Sequence, residues 1–350
     1  DHKVDWLTEV IPKDKFPYGI QKNKEVWFLT AGKDWSDGFW PGILWAAHQV
    51  TNNKKYKNLA DEWTRAIKLT EWENYDIRSI RFYYSHSKAY ELTKDEFFRD
   101  NALKAAEFMA SRFNNFGSFI QISGEIDNSF KDKRNNVELM SISLPILAWA
   151  YNKTKEKKYS DMIIKHSNTT KKFNIREDSS VRRWAIFNPK KDILINEEND
   201  FGYKPTSTHS RSQARAIYGF TSVYELTQNE EFLSIAENLA NYFINHLPKD
   251  FVPFYDLNDP NRDIQKDSSA ATIASSALLN LYNFTGKEKY KEYSYNILKS
   301  LSLNYLSTDS KNYQGIIVHG CHNVHDDYYN DSSLIYSDYF FIESLKKIKN

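Results

Sequence analysis

Cys321 is the only cysteine in this 350-residue chain. One thiol excludes an intrachain disulfide, a cysteine zinc site and a redox pair. Long apolar runs are also missing. With a mean hydropathy of −0.68, no segment reads as a membrane-spanning helix. There is no excess of either charge: 47 Lys and Arg stand against 46 Asp and Glu, a formal net charge of +1. No overall field recruits nucleic acid or an anionic membrane, so an anionic substrate must be met by a local cluster. Asp1 leads directly into a helix-like stretch, Val4 to Val10, with no charged segment followed by an apolar one. The compartment is left open between the bacterial periplasm, after removal of a signal peptide, and the cytoplasm. The Lys- and Asn-rich composition suggests an AT-rich bacterial genome.

Aromatic side chains are abundant, at 15% of residues with 9 Trp and 23 Tyr. Flat apolar faces with polar tips suit sugar surfaces, and they suit core packing equally. A second positive feature is a repeat. Thr51, Thr93, Thr154, Thr227 and Thr285 are each followed five residues later by an aromatic: Tyr56, Phe98, Tyr159, Phe232 and Tyr290. A short polar turn and then a stretch of period 3.6 follow each threonine. The segments before these turns, starting at Gly38, Ser79, Ser143, Ser212 and Ser268, are rich in small and apolar residues, and a sixth begins at Ser332. With the N-terminal helix counted, six apolar helices each pair with a more polar one. An all-α (α/α)6 barrel, an inner ring inside an outer ring, is the expected architecture, with residues 1–350 forming one domain. An open solenoid is the alternative, disfavoured by six pairs and by atypical segments at both ends. The long irregular stretches Asn115 to Asn136 and Glu177 to Ser210 are expected to be rim loops that build a site.

Several phrases carry a family resemblance along essentially the whole chain: DWSDGFWPGILW from Asp34, GSFIQ from Gly117, LPILAWA from Leu144, RSQARAIYGF from Arg211, KDSSAATIASSALL ending at Leu279, and LIYSDYFFIESL from Leu334. Together they make the chain resemble the unsaturated glucuronyl hydrolases, glycoside hydrolase family 88. The resemblance implies hydration of a double bond. Polysaccharide lyases leave a C4–C5 unsaturated uronate at the new non-reducing end; family members protonate C4, deliver water to C5 and release the aglycone when the hemiketal opens. The implied partner is an acidic oligosaccharide, and no cofactor or metal is implied. A monomer is expected.

Carried onto this sequence, the resemblance makes Asp76 and Glu138 the acid/base pair. Each alignment requires one extra residue, since ungapped counting lands on Ile77 and Leu139 instead. Away from the resemblance, Asp76 reads as a helix cap and Glu138 as a carboxylate favoured by a helix N-terminus. The substrate-binding set is Trp40, Trp45, Arg78, Arg211, Gln213 and Arg215. Arg211 and Arg215, four residues apart, share a helix face and are suited to clamp a carboxylate or sulfate; paired inner-rim arginines are the alternative. Trp40 and Trp45 match pocket floor and wall positions, or pack between helices.

Several positions depart from the family pattern. His209 and Arg215 stand where it has tryptophans, and two supporting polar groups are missing where this chain has Arg182, Arg183 and Trp184, and Asp200, Phe201 and Gly202. With Tyr75, the new residues His209, Arg215 and Arg182 supply the types that the reverse reaction needs: elimination creating the double bond in a saturated uronate, with His209 as a third catalytic candidate. A binding protein that has lost both acids is the further alternative. His319, His322 and His325, three residues apart, invite a metal reading, with a rim contact or loop preferred. His86 either faces the pocket or is a core histidine.

Overall fold

The computed structural model describes residues 2–69, 78–127, 129–307 and 312–349. Its helices are α1 (His2–Val10), α2 (Phe39–Thr51), α3 (Lys54–Ala66), α4 (Ile80–Phe82), α5 (Lys88–Thr93), α6 (Glu96–Ser111), α7 (Leu139–Ile142), α8 (Leu144–Thr154), α9 (Lys157–Asn174), α10 (Ser210–Thr227), α11 (Glu230–Asn245), α12 (Ser268–Thr285), α13 (Glu288–Asn304) and α14 (Ile335–Lys349). The inner ring runs from α2 through α4 and α5, then α7 and α8, to α10, α12 and α14, and α14 packs back on α2. That contact closes the barrel and excludes the open solenoid. α3, α6, α9, α11 and α13 form the outer layer, and α1 is tied to α3 by Asp5 and Lys55 at 2.9 Å.

The threonine-to-aromatic repeat is one turn used five times. Each threonine ends an inner helix, and its hydroxyl donates to the carbonyl four residues back, at 2.7 to 2.9 Å. The same oxygen accepts the N–H two residues on, at 3.2 to 3.3 Å. The residue between, Asn52, Lys94, Lys155, Gln228 or Gly286, is left-handed with φ between 54° and 65°. Four of the five are not glycine, a conformation costing about 1–2 kcal/mol for an ordinary residue; the hydrogen bonds at the threonine offset it. Asn53, Asp95 and Asn229 then cap the outer helix with their side chains. The aromatic five residues after each threonine is at most 2% exposed, wedged between the two layers.

Both one-residue offsets fall on helix irregularities. Between Arg78 and Thr93 the helix passes through a π-turn, Tyr83–Ser87, which accommodates one extra residue within a helix. Between Glu138 and Pro145 the helix breaks at Ser143, where Pro145 cannot continue the ladder of α7.

The two long rim stretches are partly extended. Strands Lys133–Asn136, Trp184–Asn188 and Ile193–Glu198 form an antiparallel sheet in which Asn136 faces Trp184. Strand Phe16–Ile20 pairs with both Phe28–Thr30 and Ser333–Leu334, joining the two ends of the chain on the same rim.

Candidate active site

The sheet and α10 together place the charged groups. Beyond Asn136 the ladder continues with the Val137 N–H donating to the Arg183 carbonyl, at 3.0 Å. Glu138 follows as the residue leading into α7, its N–H held by Asn136 Oδ1 at 2.8 Å. Glu138 and Arg183 are therefore brought side by side by strand register. α10 supplies Arg211 and Arg215 one turn apart, and Gly219 one turn further on. A Cβ at Gly219 would lie 2.4 Å from Met140 Cβ. The missing side chain lets α7 sit against α10 and brings Glu138 to the arginines.

Glu138 is 7% exposed and lines a cavity of about 440 Å³ with Arg78, Arg183, Arg211, Arg215, Trp35 and other rim residues. That size suits a small-molecule site. Its carboxylate lies 3.3 Å from Arg183 Nε and 3.4 Å from Arg215 Nε. The Ser212 hydroxyl donates to it at 2.8 Å. Because that single proton goes to Glu138, the neighbouring His209 Nδ1, 3.1 Å from Ser212 Oγ, must be the donor of its own contact. Burial alone pushes Glu138 up, but Arg183, the nearby His209, Arg211 and Arg215 outweigh it and hold the carboxyl well below the usual range. Beside these cations Glu138 is an anion. Burial, then Arg211, push His209 down against the pull of Glu138, so this imidazole is neutral.

The remaining wall is aromatic and polar. Arg183 also pairs with Asp200 and stands 3.6 Å from the Phe201 ring centroid. Trp184 donates its indole N–H to Asp200 at 2.9 Å. Arg211 donates to the carbonyls of Cys321 and His322 and lies 3.4 Å from Asp267. His322 and Tyr336 complete the lining; burial first, and Arg211 next, hold the His322 imidazole well below its ordinary value.

Of the residues expected from the sequence, Glu138, Arg78, Arg211 and Arg215 are brought together around this cavity. Asp76 and Tyr75 lie outside the described residues. His209 is placed behind Glu138: its side chain is fully buried, packed edge-on against Phe201 and Tyr255, and supports the carboxylate through Ser212. Gln213 faces away from the cavity. Its amide accepts from the Val181 N–H and donates to the carbonyls of Ser179 and Leu239, so it pins the rim segment to the helices. Trp40 and Trp45 are core residues. Trp40 packs edge-on against Trp63, and Trp45 donates to Thr64 at 3.0 Å, because that face of α2 meets α3. Trp35, just before α2, lines the cavity instead.

Arg182 is turned away onto Glu197 at 3.1 Å, whereas Arg183 enters the site. Arg183 and Asp200, where the family's supporting polar groups are missing, thus restore polarity as an ion pair. Strand alternation beyond Asn136 is the signal that could have found Arg183. The three C-terminal histidines separate: His319 pairs with Asp331 at 2.6 Å, His322 lines the cavity, and His325 Nε2 lies 2.8 Å from the Gly202 carbonyl. His86 is a core histidine within the π-turn, packed on Phe82 and Phe98 and pushed down to about 3 by burial.

Known proteins resemble this chain along most of its length. The model of Glycosyl Hydrolase Family 88 matches residues 15–332. An unsaturated glucuronyl hydrolase of Formosa agariphila is 31% identical over 344 residues, covering 96% of this chain and 85% of that protein. An unsaturated chondroitin disaccharide hydrolase of Streptococcus pyogenes is 28% identical, covering 95% and 85%. Among solved structures, an unsaturated glucuronyl hydrolase specific for heparin superposes with a TM-score of 0.91 at 26% identity, over 99% of this chain and 93% of the other. The unsaturated glucuronyl hydrolase of Bacillus sp. GL1 gives 0.91 at 25% identity, over 99% and 94%.

Proposed function

Because the chain belongs to Glycosyl Hydrolase Family 88, we propose that its cavity hydrates the C4–C5 double bond of an unsaturated uronate at the non-reducing end of a lyase-generated acidic oligosaccharide, releasing the sugar attached to it. The observation that carries this reading is Glu138, a buried carboxylate on the cavity wall among Arg183, Arg211 and Arg215. Guanidinium groups receive a planar carboxylate in bidentate fashion, which orients the uronate with its ring toward Glu138. Hydration needs a proton at C4 and water at C5. One carboxyl group that gives a proton to C4 and takes one back from the water adding at C5 serves both steps. The hemiketal then opens to a ketone and the free hydroxyl of the next sugar.

Relatives named as glucuronyl, heparin-specific and chondroitin disaccharide hydrolases agree in the unsaturated uronate and differ in the polymer. The test is therefore a panel. Purified protein mixed with lyase products of several acidic polysaccharides should abolish the ultraviolet absorbance of the double bond with at least one of them. Absorbance that persists across the whole panel defeats the proposal. Elimination would instead create absorbance from saturated uronates. His209, the catalytic candidate for that reaction, is fully buried behind Glu138 and is not among the residues lining the cavity.

A further inference from the structure

The arginines around Glu138 are not equally committed. Arg211 is held by two backbone carbonyls and Asp267. Arg183 divides itself between Glu138 and Asp200. Arg215 has fewer polar neighbours: among the described residues these are Ser141 Oγ at 3.3 Å and Glu138 at 3.4 Å. It is 2% exposed, and its Nε makes no aligned hydrogen bond despite that burial. A guanidinium has five N–H donors, so most of the capacity of Arg215 is unspent beside the cavity.

We propose that Arg215 is a positioning residue that exchanges partners: it holds Glu138 before the uronate binds and turns to the substrate's carboxylate when the uronate enters, leaving Glu138 to take up a proton from solvent. This rests on the uronate reading of the site. An entering carboxylate brings a second negative charge next to Glu138 and competes for the same cation, and both effects favour the neutral acid. Among the described residues, the other charged or titratable groups facing Glu138 do not cancel them. On α10, Arg211 is fixed by its carbonyls and His209 is neutral behind Ser212. On the sheet, Arg183 is shared with Asp200. Arg78, Asp34 and His322 lie around the rest of the cavity. The proton taken up passes to C4, water adding at C5 replaces it on Glu138, and it returns to solvent when product leaves and Arg215 swings back.

The experiment is calorimetric titration of the whole protein with methyl β-D-glucuronide, which has no double bond to hydrate, and with neutral methyl β-D-glucoside, in two buffers of different ionisation enthalpy at about pH 6. The glucuronide should bind with uptake of a large fraction of a proton, and the glucoside without any. Glu138→Gln, nearly isosteric, should still bind the glucuronide but with no uptake. Arg215→Met should bind it at least about 10-fold more weakly, with uptake reduced. Glucuronide binding without proton uptake, or uptake unchanged in Glu138→Gln, overturns the exchange and leaves the uronate reading standing. Failure of the wild-type protein to prefer glucuronide over glucoside overturns the uronate reading, and the exchange with it.

Discussion

Glu138 and Glu343 are both buried carboxylates with lowered pKa, and they sit at opposite ends of the inner ring. Along α14 about two helical turns separate Tyr336, in the cavity wall, from Glu343. For each glutamate burial pushes the carboxyl up and partners more than reverse it. The partners differ. Glu343 is met by the hydroxyls of Ser276, Tyr218 and Tyr339 and by Lys347 on its own helix, 3.3 Å away. Glu138 is met by arginines from two separate parts of the chain and stands beside open volume. A lowered carboxylate pKa does not by itself mark a reaction site. Room for a ligand and cations that can be drawn away from the carboxylate do.

The largest expected effect sharpens that contrast. Glu138→Gln should lower turnover of the unsaturated substrate by about 10²- to 10⁴-fold and also lower stability, by about 1–3 kcal/mol. Glu343→Gln should leave turnover nearly intact and lower stability by about 1–3 kcal/mol, read by urea unfolding. If Glu343→Gln proved the inactive one, the two ends would have been assigned the wrong way round. Next comes the tryptophan pair on either side of the start of α2. Trp40→Ala should cost about 3–5 kcal/mol of stability, whereas Trp35→Ala should raise KM and leave the unfolding midpoint close to wild type.

The acid limb of stability gives a smaller effect. Both glutamates have folded pKa values below the ordinary 4.5. Their stabilising contribution is therefore complete above that value and is lost as pH falls through the depressed folded values. Urea midpoints measured downward from pH 6 should fall less steeply in either Gln variant than in wild type. The smallest effect is expected at the rim. Asp331 raises the His319 pKa, so their pairing helps below the ordinary 6.5 and fades as pH rises through the raised value. His319 is half exposed, and His319→Gln should change stability by under about 0.5 kcal/mol and leave turnover unaltered. A large loss of activity there would reopen the metal reading of the three histidines.

Much of the fold was legible because its signal is local. The threonine, the left-handed residue after it and the aromatic five positions on are decided within a few residues of chain, and so is the spacing that puts Arg211 and Arg215 on one face. The two offsets near the candidate acids were also visible as counts, although the π-turn and the break at Ser143 that absorb them were not. Trp40 and Trp35 show the limit. Both lie in one family-like phrase, and only the packing of α2 on α3 separates the core residue from the cavity residue. Arg183 and Asp200 fell at positions that seemed to have lost polarity, because a residue-by-residue comparison cannot see an ion pair formed between two substituted positions.

The sequence by itself determined the five repeated turns, the two-layered helical ring and the presence of an acidic residue ahead of α7 with two arginines at the start of α10. Only the tertiary structure decided that Val137 pairs with Arg183, that Gly219 admits α7 against α10, and that Glu138 is consequently an anion among arginines. The physical reason is range. Turns and helix faces are set by neighbours in the chain, whereas the charge state of a carboxylate depends on burial and on distances to groups that register and ring closure bring from far away.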